Sequence, residues 1–135
     1  MGARNDAQTS MRLTIAPHFD NYRNMKQKDA LSALAALAQD TRLTVFRYLV
    51  TMGPDGAAAG DIAHAVKAPA PTLSFHLKEL EQARLISSRR ESRSIIYAAD
   101  YDCMRGLLAF LMEDCCRGHP EICNLAPKKK AAVCC

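Results

Sequence analysis

Pro71-Thr72-Leu73-Ser74-Phe75-His76-Leu77-Lys78-Glu79-Leu80 is followed shortly by Leu85-Ile86-Ser87-Ser88-Arg89-Arg90-Glu91-Ser92-Arg93-Ser94-Ile95-Ile96-Tyr97. The period of the chain changes between the two runs. In the first, Leu73, Leu77 and Leu80 recur at helical spacing, and Thr72, Ser74, Phe75, His76 and Lys78 take the other face. This predicts a helix over residues 71–83. In the second run Ser, Ile and Tyr favour extended chain. Arg90-Glu91-Ser92-Arg93 lies between two strand-like runs, so residues 85–99 read as a hairpin with a basic tip.

Upstream, Ala68-Pro69-Ala70-Pro71 breaks any preceding helix, because proline lacks the N–H that a helix interior needs. Proline is well placed in the first turn of the helix that follows. Residues 59–67 read as a short helix with Ile62, Ala63 and Val66 inward. Gly53-Pro54-Asp55-Gly56 is a turn signal. Before it, Asp40 is expected to cap a helix marked by Leu43, Phe46, Leu49 and Val50, and Asp29 a helix marked by Leu31, Leu34 and Leu37. Downstream, Asp100 is expected to cap a last helix with apolar positions at Tyr101, Met104, Leu107, Leu108, Leu111 and Met112, ended by Gly118 and Pro120. The expected organisation is an N-terminal arm over residues 1–24, one domain over 25–117 and a cysteine-containing tail over 118–135. The fold class is mainly α with a small β-hairpin.

Composition sets bounds. Of the 135 residues, 49% are hydrophobic, enough for one core, while aromatics are 6% and Trp is absent. The net charge of +4 suits a nucleic-acid partner without requiring one. No stretch approaches the roughly 18–20 apolar residues of a membrane span, and the first ten residues lack the apolar core of a secretory signal. The expectation is therefore a cytoplasmic protein with no membrane partner. Six Cys, at 103, 115, 116, 123, 134 and 135, crowd the C-terminal third. Such crowding in a reducing compartment points to metal or redox chemistry rather than a disulfide scaffold.

Helix, turn, helix and basic hairpin, in that order, form a winged helix-turn-helix pattern. A helix fits the DNA major groove, where base edges are distinguishable, and a hairpin with Arg at its tip reaches phosphates or the neighbouring minor groove. Over about residues 29–116 the sequence resembles the ArsR/SmtB family of metal-responsive repressors. The resemblance rests on Asp40-Thr41-Arg42-Leu43, Gly60-Asp61-Ile62-Ala63, Thr72 through Leu80, Ala83-Arg84-Leu85-Ile86 and Arg89 through Tyr97. It implies a repressor that binds double-stranded operator DNA as a homodimer, without enzymatic activity. The residues expected at DNA are Pro71, Thr72, Ser74, Phe75, His76 and Lys78 from the helix and Arg89, Arg90 and Arg93 from the wing. An ordinary solvated helix face and hairpin are the alternatives, and His76 has a further one in packing inward. The family often carries Ser-Gln at the start of its recognition helix, where this chain has Pro69 and Ala70.

A Cys-Val-Cys arrangement common among arsenic sensors is absent from the segment Ala58–Ala63. The chain instead offers Cys115-Cys116-Arg117-Gly118-His119-Pro120-Glu121-Ile122-Cys123, similar to a subgroup of arsenic sensors with ligands at the C-terminal helix end. The resemblance implies arsenic(III), or antimony(III), as an effector held by Cys115, Cys116 and Cys123. Adjacent helical residues point roughly 100° apart, so Cys115 and Cys116 converge only if the last turn frays. Gly118 and Pro120 permit that. Soft thiolates suit a thiophilic centre. Zinc or cadmium with His119 as a fourth ligand, and a thiol redox switch on the same fold, are the rivals. A Cys-based reductase would want its thiol at a helix N-terminus, where thiolates are stabilised, and this pair follows a helix C-terminus. Cys103 is expected to be a small core residue. The two-fold interface is expected between the last and first helices, using Leu107, Leu108 and Leu111.

Overall fold

In a computed structural model, which describes residues 25–113, the elements run in the expected order, with one addition. They are α1 (Gln27–Leu37), α2 (Asp40–Met52), β1 (Ala57–Ala58), α3 (Ala59–Val66), α4 (Ala70–Gln82), β2 (Ile86–Glu91), β3 (Ser94–Ala99) and α5 (Tyr101–Leu111). The addition is β1. It pairs antiparallel with β3, placing Ala57 against Tyr97, and makes the hairpin a three-stranded sheet of order β1-β3-β2.

Two caps differ from the sequence reading. The helix α1 begins one turn early, with Lys26 as N-cap, whose carbonyl accepts from the Asp29 and Ala30 N–H groups at 3.0 Å. At α2 the cap is Gln39, whose Oε1 accepts from the Arg42 N–H at 2.7 Å. Asp29 and Asp40 lie in the first turns instead, where a negative charge favours the positive end of the helix dipole. Arg42 Nε donates to the Ala36 carbonyl at 2.6 Å and locks the corner between α1 and α2. Asp100 caps α5 as expected, accepting from the Cys103 N–H at 2.9 Å.

The turn after α2 needs glycine. Gly53 and Gly56 have φ of 74° and 69°, and a Cβ at Gly56 would collide with the Tyr97 carbonyl oxygen. That close approach allows β1 to reach β3. The α3–α4 connection turns on Lys67, in the left-handed region at φ 56°, and the Ala68 N–H donates to the Ala63 carbonyl at 3.1 Å. Pro71 falls in the first turn of α4.

The core is built from every helix. Ala30, Ala33 and Ala36 of α1, Val45, Phe46 and Leu49 of α2, Ile62 of α3, and Leu73, Leu77 and Leu80 of α4 meet Leu85, Ile86, Ala99 and Leu107. Tyr101 Oη donates to the Val50 carbonyl at 2.8 Å and ties α5 to α2. On α1 the expected polarity is inverted: the alanines face the core, while Leu31 and Leu34 face outward and Leu37 is half-buried. Alanine packs inward because α1 lies close on α2 and α4, and only a methyl fits between such helices. No helix among the described residues is long and apolar enough to cross a membrane.

Candidate nucleic-acid interface

The helix α4 presents two faces. Leu73, His76, Leu77 and Leu80 are its buried residues. Directly opposite, at helical spacing, run Pro71, Phe75, Lys78 and Gln82, all exposed. Thr72 and Ser74 flank this stripe and are also exposed. The Ser74 hydroxyl donates to the Ala70 carbonyl at 3.1 Å.

His76 departs from the expectation that puts it with the outward residues. It is only 8% exposed, and its Nδ1 is buried without a hydrogen-bond partner among the described residues. The helical period explains this: His76 is one turn after Leu73 and one turn before Leu80, on the core side. Its ring meets the Phe75 ring edge-on, with centroids 5.7 Å apart at 64°.

The wing divides its arginines. Arg89, expected at DNA, has its guanidinium held within the protein instead. Nη1 donates to the Pro54 carbonyl at 3.2 Å and Nη2 to the Asp55 carbonyl at 2.6 Å, while Nε pairs with Glu91 at 2.8 Å. Arg89 thus pins β2 to the turn after α2. Nearby, Ser88 Oγ donates to Glu81 and joins β2 to α4. Arg90 and Arg93 are exposed and form no ion pair among the described residues. Ser92, at φ 54°, makes the tip that carries Arg93 outward.

A second surface is apolar. Leu31 is 58% and Leu34 39% exposed on α1, and Leu108 is 50% and Leu111 52% exposed on α5. These two helices pack against each other. Leu107, expected at the same surface, is instead 5% exposed and part of the core. It and Leu108 are consecutive on a helix and so point about 100° apart. Sequence reasoning does not single out Leu31 and Leu34 as surface residues. The signal is present in the alanines at 30, 33 and 36, which share a helical face of their own.

The thiol ligands expected at Cys115, Cys116 and Cys123 lie outside the described residues, as do Cys134 and Cys135. Among the described residues no group of His, Cys, Asp and Glu is arranged to hold a metal ion. Cys103 is half-buried against the core. Burial, and then the Asp100 carboxylate, push its thiol above the usual value, with Arg84 opposing.

A short helix, a tight turn, a second helix with an outward polar-and-aromatic stripe, and a hairpin with exposed arginines define a winged helix-turn-helix protein. The profile of the helix-turn-helix domain family matches residues 37–89. The chain is 33% identical to nodulation protein NolR of Rhizobium meliloti over 91 residues, spanning 65% of this chain and 72% of that one. Its fold is similar to an ArsR-like transcriptional regulator from Rhodococcus sp. RHA1, with a TM-score of 0.59 and 21% identity over 71% of this chain and 88% of that one. The crystal structure of NolR from Sinorhizobium fredii is similar at a TM-score of 0.52, with 31% identity over 64% of this chain and 83% of that one. The chain belongs to the ArsR family of winged helix-turn-helix transcriptional regulators.

Proposed function

We propose that this regulator binds double-stranded operator DNA as a homodimer and releases it when the thiols of Cys115, Cys116 and Cys123 take up arsenic(III). The observation that carries the DNA-binding half is the outward side of α4, together with Arg90 and Arg93, exposed on the wing and without an ion pair among the described residues. Pro71, Thr72, Phe75 and Lys78 enter the major groove, and the wing arginines meet phosphates beside it. Arg89 and His76 act from behind, the first by fixing the wing and the second by filling the space under α4.

The partner of the apolar surface is a second copy of the chain. Leu31, Leu34, Leu108 and Leu111 are large, exposed and carried by neighbouring helices, which is the composition of a helix-to-helix interface. Two-fold pairing would set two copies of α4 on one face of the duplex, about one helical turn apart.

Support for the effector is the spacing of three Cys within residues 115–123. Arsenous acid condenses with three thiols, forming three As–S bonds and releasing three waters, so the step needs no redox partner. A ligand moves the equilibrium between DNA-binding and released states only by its differential affinity for them. The test is operator fluorescence anisotropy during arsenite titration under reducing conditions. Wild type is expected to release DNA. Cys115→Ser, Cys116→Ser and Cys123→Ser are each expected to bind DNA normally and to stay bound. Full release from the Cys115→Ser/Cys116→Ser double variant, or release by zinc or cadmium but not arsenite, would refute the arsenic assignment.

A further inference from the structure

We infer that Phe75 reads the C5-methyl group of thymine, so that each operator half-site carries a thymine where this ring meets the groove. The inference rests on the proposed DNA-binding role and adds which base chemistry α4 selects. Phe75 is 57% exposed on the side of α4 opposite its buried leucines. A ring left in water gains nothing for the protomer, and its only aromatic neighbour among the described residues is the edge of His76.

The company Phe75 keeps narrows its ligand. In helix-turn-helix proteins the N-terminal part of the second helix meets the base edges. Here that part is Ala70, Pro71, Thr72, Ser74 and Phe75, all exposed. Guanine is read by Arg or Lys and adenine by Asn or Gln, and none of these occupies residues 70–75. The Ser74 hydroxyl proton is already given to the Ala70 carbonyl. What remains is mainly apolar: two methyl-bearing side chains, the Pro71 ring and the Phe75 ring. Thymine alone presents a methyl group on its major-groove edge. Lys78 follows one turn later on the same stripe, and Arg90 and Arg93 are exposed on the wing. Their charge on the phosphates holds the apolar tip against the base edges.

The experiment starts with the full-length protein and a duplex recovered by selection from a random-sequence pool. Each thymine of the recovered site is then replaced in turn by deoxyuridine. This removes the methyl and keeps both the pairing and the O4 acceptor. At one position per half-site, replacement is expected to weaken binding about fourfold, and about fifteenfold when both half-sites are changed. Phe75→Ala is expected to bind the thymine and uracil duplexes alike, with an unchanged salt dependence and unchanged thermal unfolding. Phe75→Leu is expected to restore part of the preference. Equal affinity of the wild type for both duplexes overturns the inference and leaves the DNA-binding role standing. A thymine preference that survives in Phe75→Ala overturns it too. If selection recovers no duplex, the DNA-binding proposal itself fails and this inference falls with it.

Discussion

Leucines on α4 and leucines on α1 and α5 have the same helical spacing and opposite fates. Leu73, Leu77 and Leu80 are sealed inside the protomer, whereas Leu31, Leu34, Leu108 and Leu111 face outward. Periodicity reports that a helix has an apolar side; it does not report what covers that side. On α4 the cover is the protomer's own core. On α1 the core side is already taken by alanines, and on α5 by Leu107, so the remaining leucines face outward. One set maintains the fold, and the other is the set that the proposed dimer would use.

The sharpest way to break this comparison is to truncate one leucine from each set. Leu77→Ala is expected to destabilise the protomer by about 2–5 kcal/mol, since it opens a cavity in a sealed core. Leu111→Ala is expected to cost the isolated protomer under about 0.5 kcal/mol, as for other surface changes. Chemical denaturation of both variants, at concentrations low enough to keep the protomers separate, measures the pair. Equal losses would erase the distinction between the two sets.

A second contrast lies within the wing. Arg90→Ala/Arg93→Ala is expected to reduce the slope of log K against log salt by about 0.9 for each phosphate no longer neutralised, up to about 3.6 for the two wings of a dimer. Arg89→Ala is expected to leave that slope nearly unchanged. It should instead loosen the wing, seen as faster amide hydrogen exchange along Ile86–Glu91, because its bonds go to Pro54 and Asp55. Should Arg89→Ala flatten the salt slope as much as the double variant, the division of the wing arginines is wrong.

A loss smaller than that in the core is expected at a cap. Asp100→Ala removes the acceptor for the Cys103 N–H and is expected to cost about 1 kcal/mol. Thermal unfolding checks it, with Asp100→Asn expected to retain most of the stability.

Much of this is legible in the sequence where local chemistry decides. The Pro-flanked start of α4, its leucine face, the glycine turn, the hairpin and the Asp100 cap all follow from rules that act within a few residues. The misreadings have one cause: they depend on what lies across from a residue. Alanine rather than leucine faces the core on α1 because neighbouring helices come close. Arg89 is held because the turn after α2 lies beside β2, a contact between residues over thirty positions apart. His76 has the polarity of a reader and the helical phase of a core residue, and phase prevails. The strand β1 is two alanines with no pattern to announce them; it exists because Gly56 lets the turn approach Tyr97.

The central claim is that a second copy of the chain covers the α1 and α5 leucines and that only this pair binds the operator. Sedimentation velocity of the full-length protein with a labelled operator duplex tests it in one experiment. Wild type is expected to sediment as two chains per duplex, and Leu31→Glu/Leu108→Glu as folded single chains that leave the duplex free. Single chains of that variant bound to the operator as tightly as wild type would contradict it.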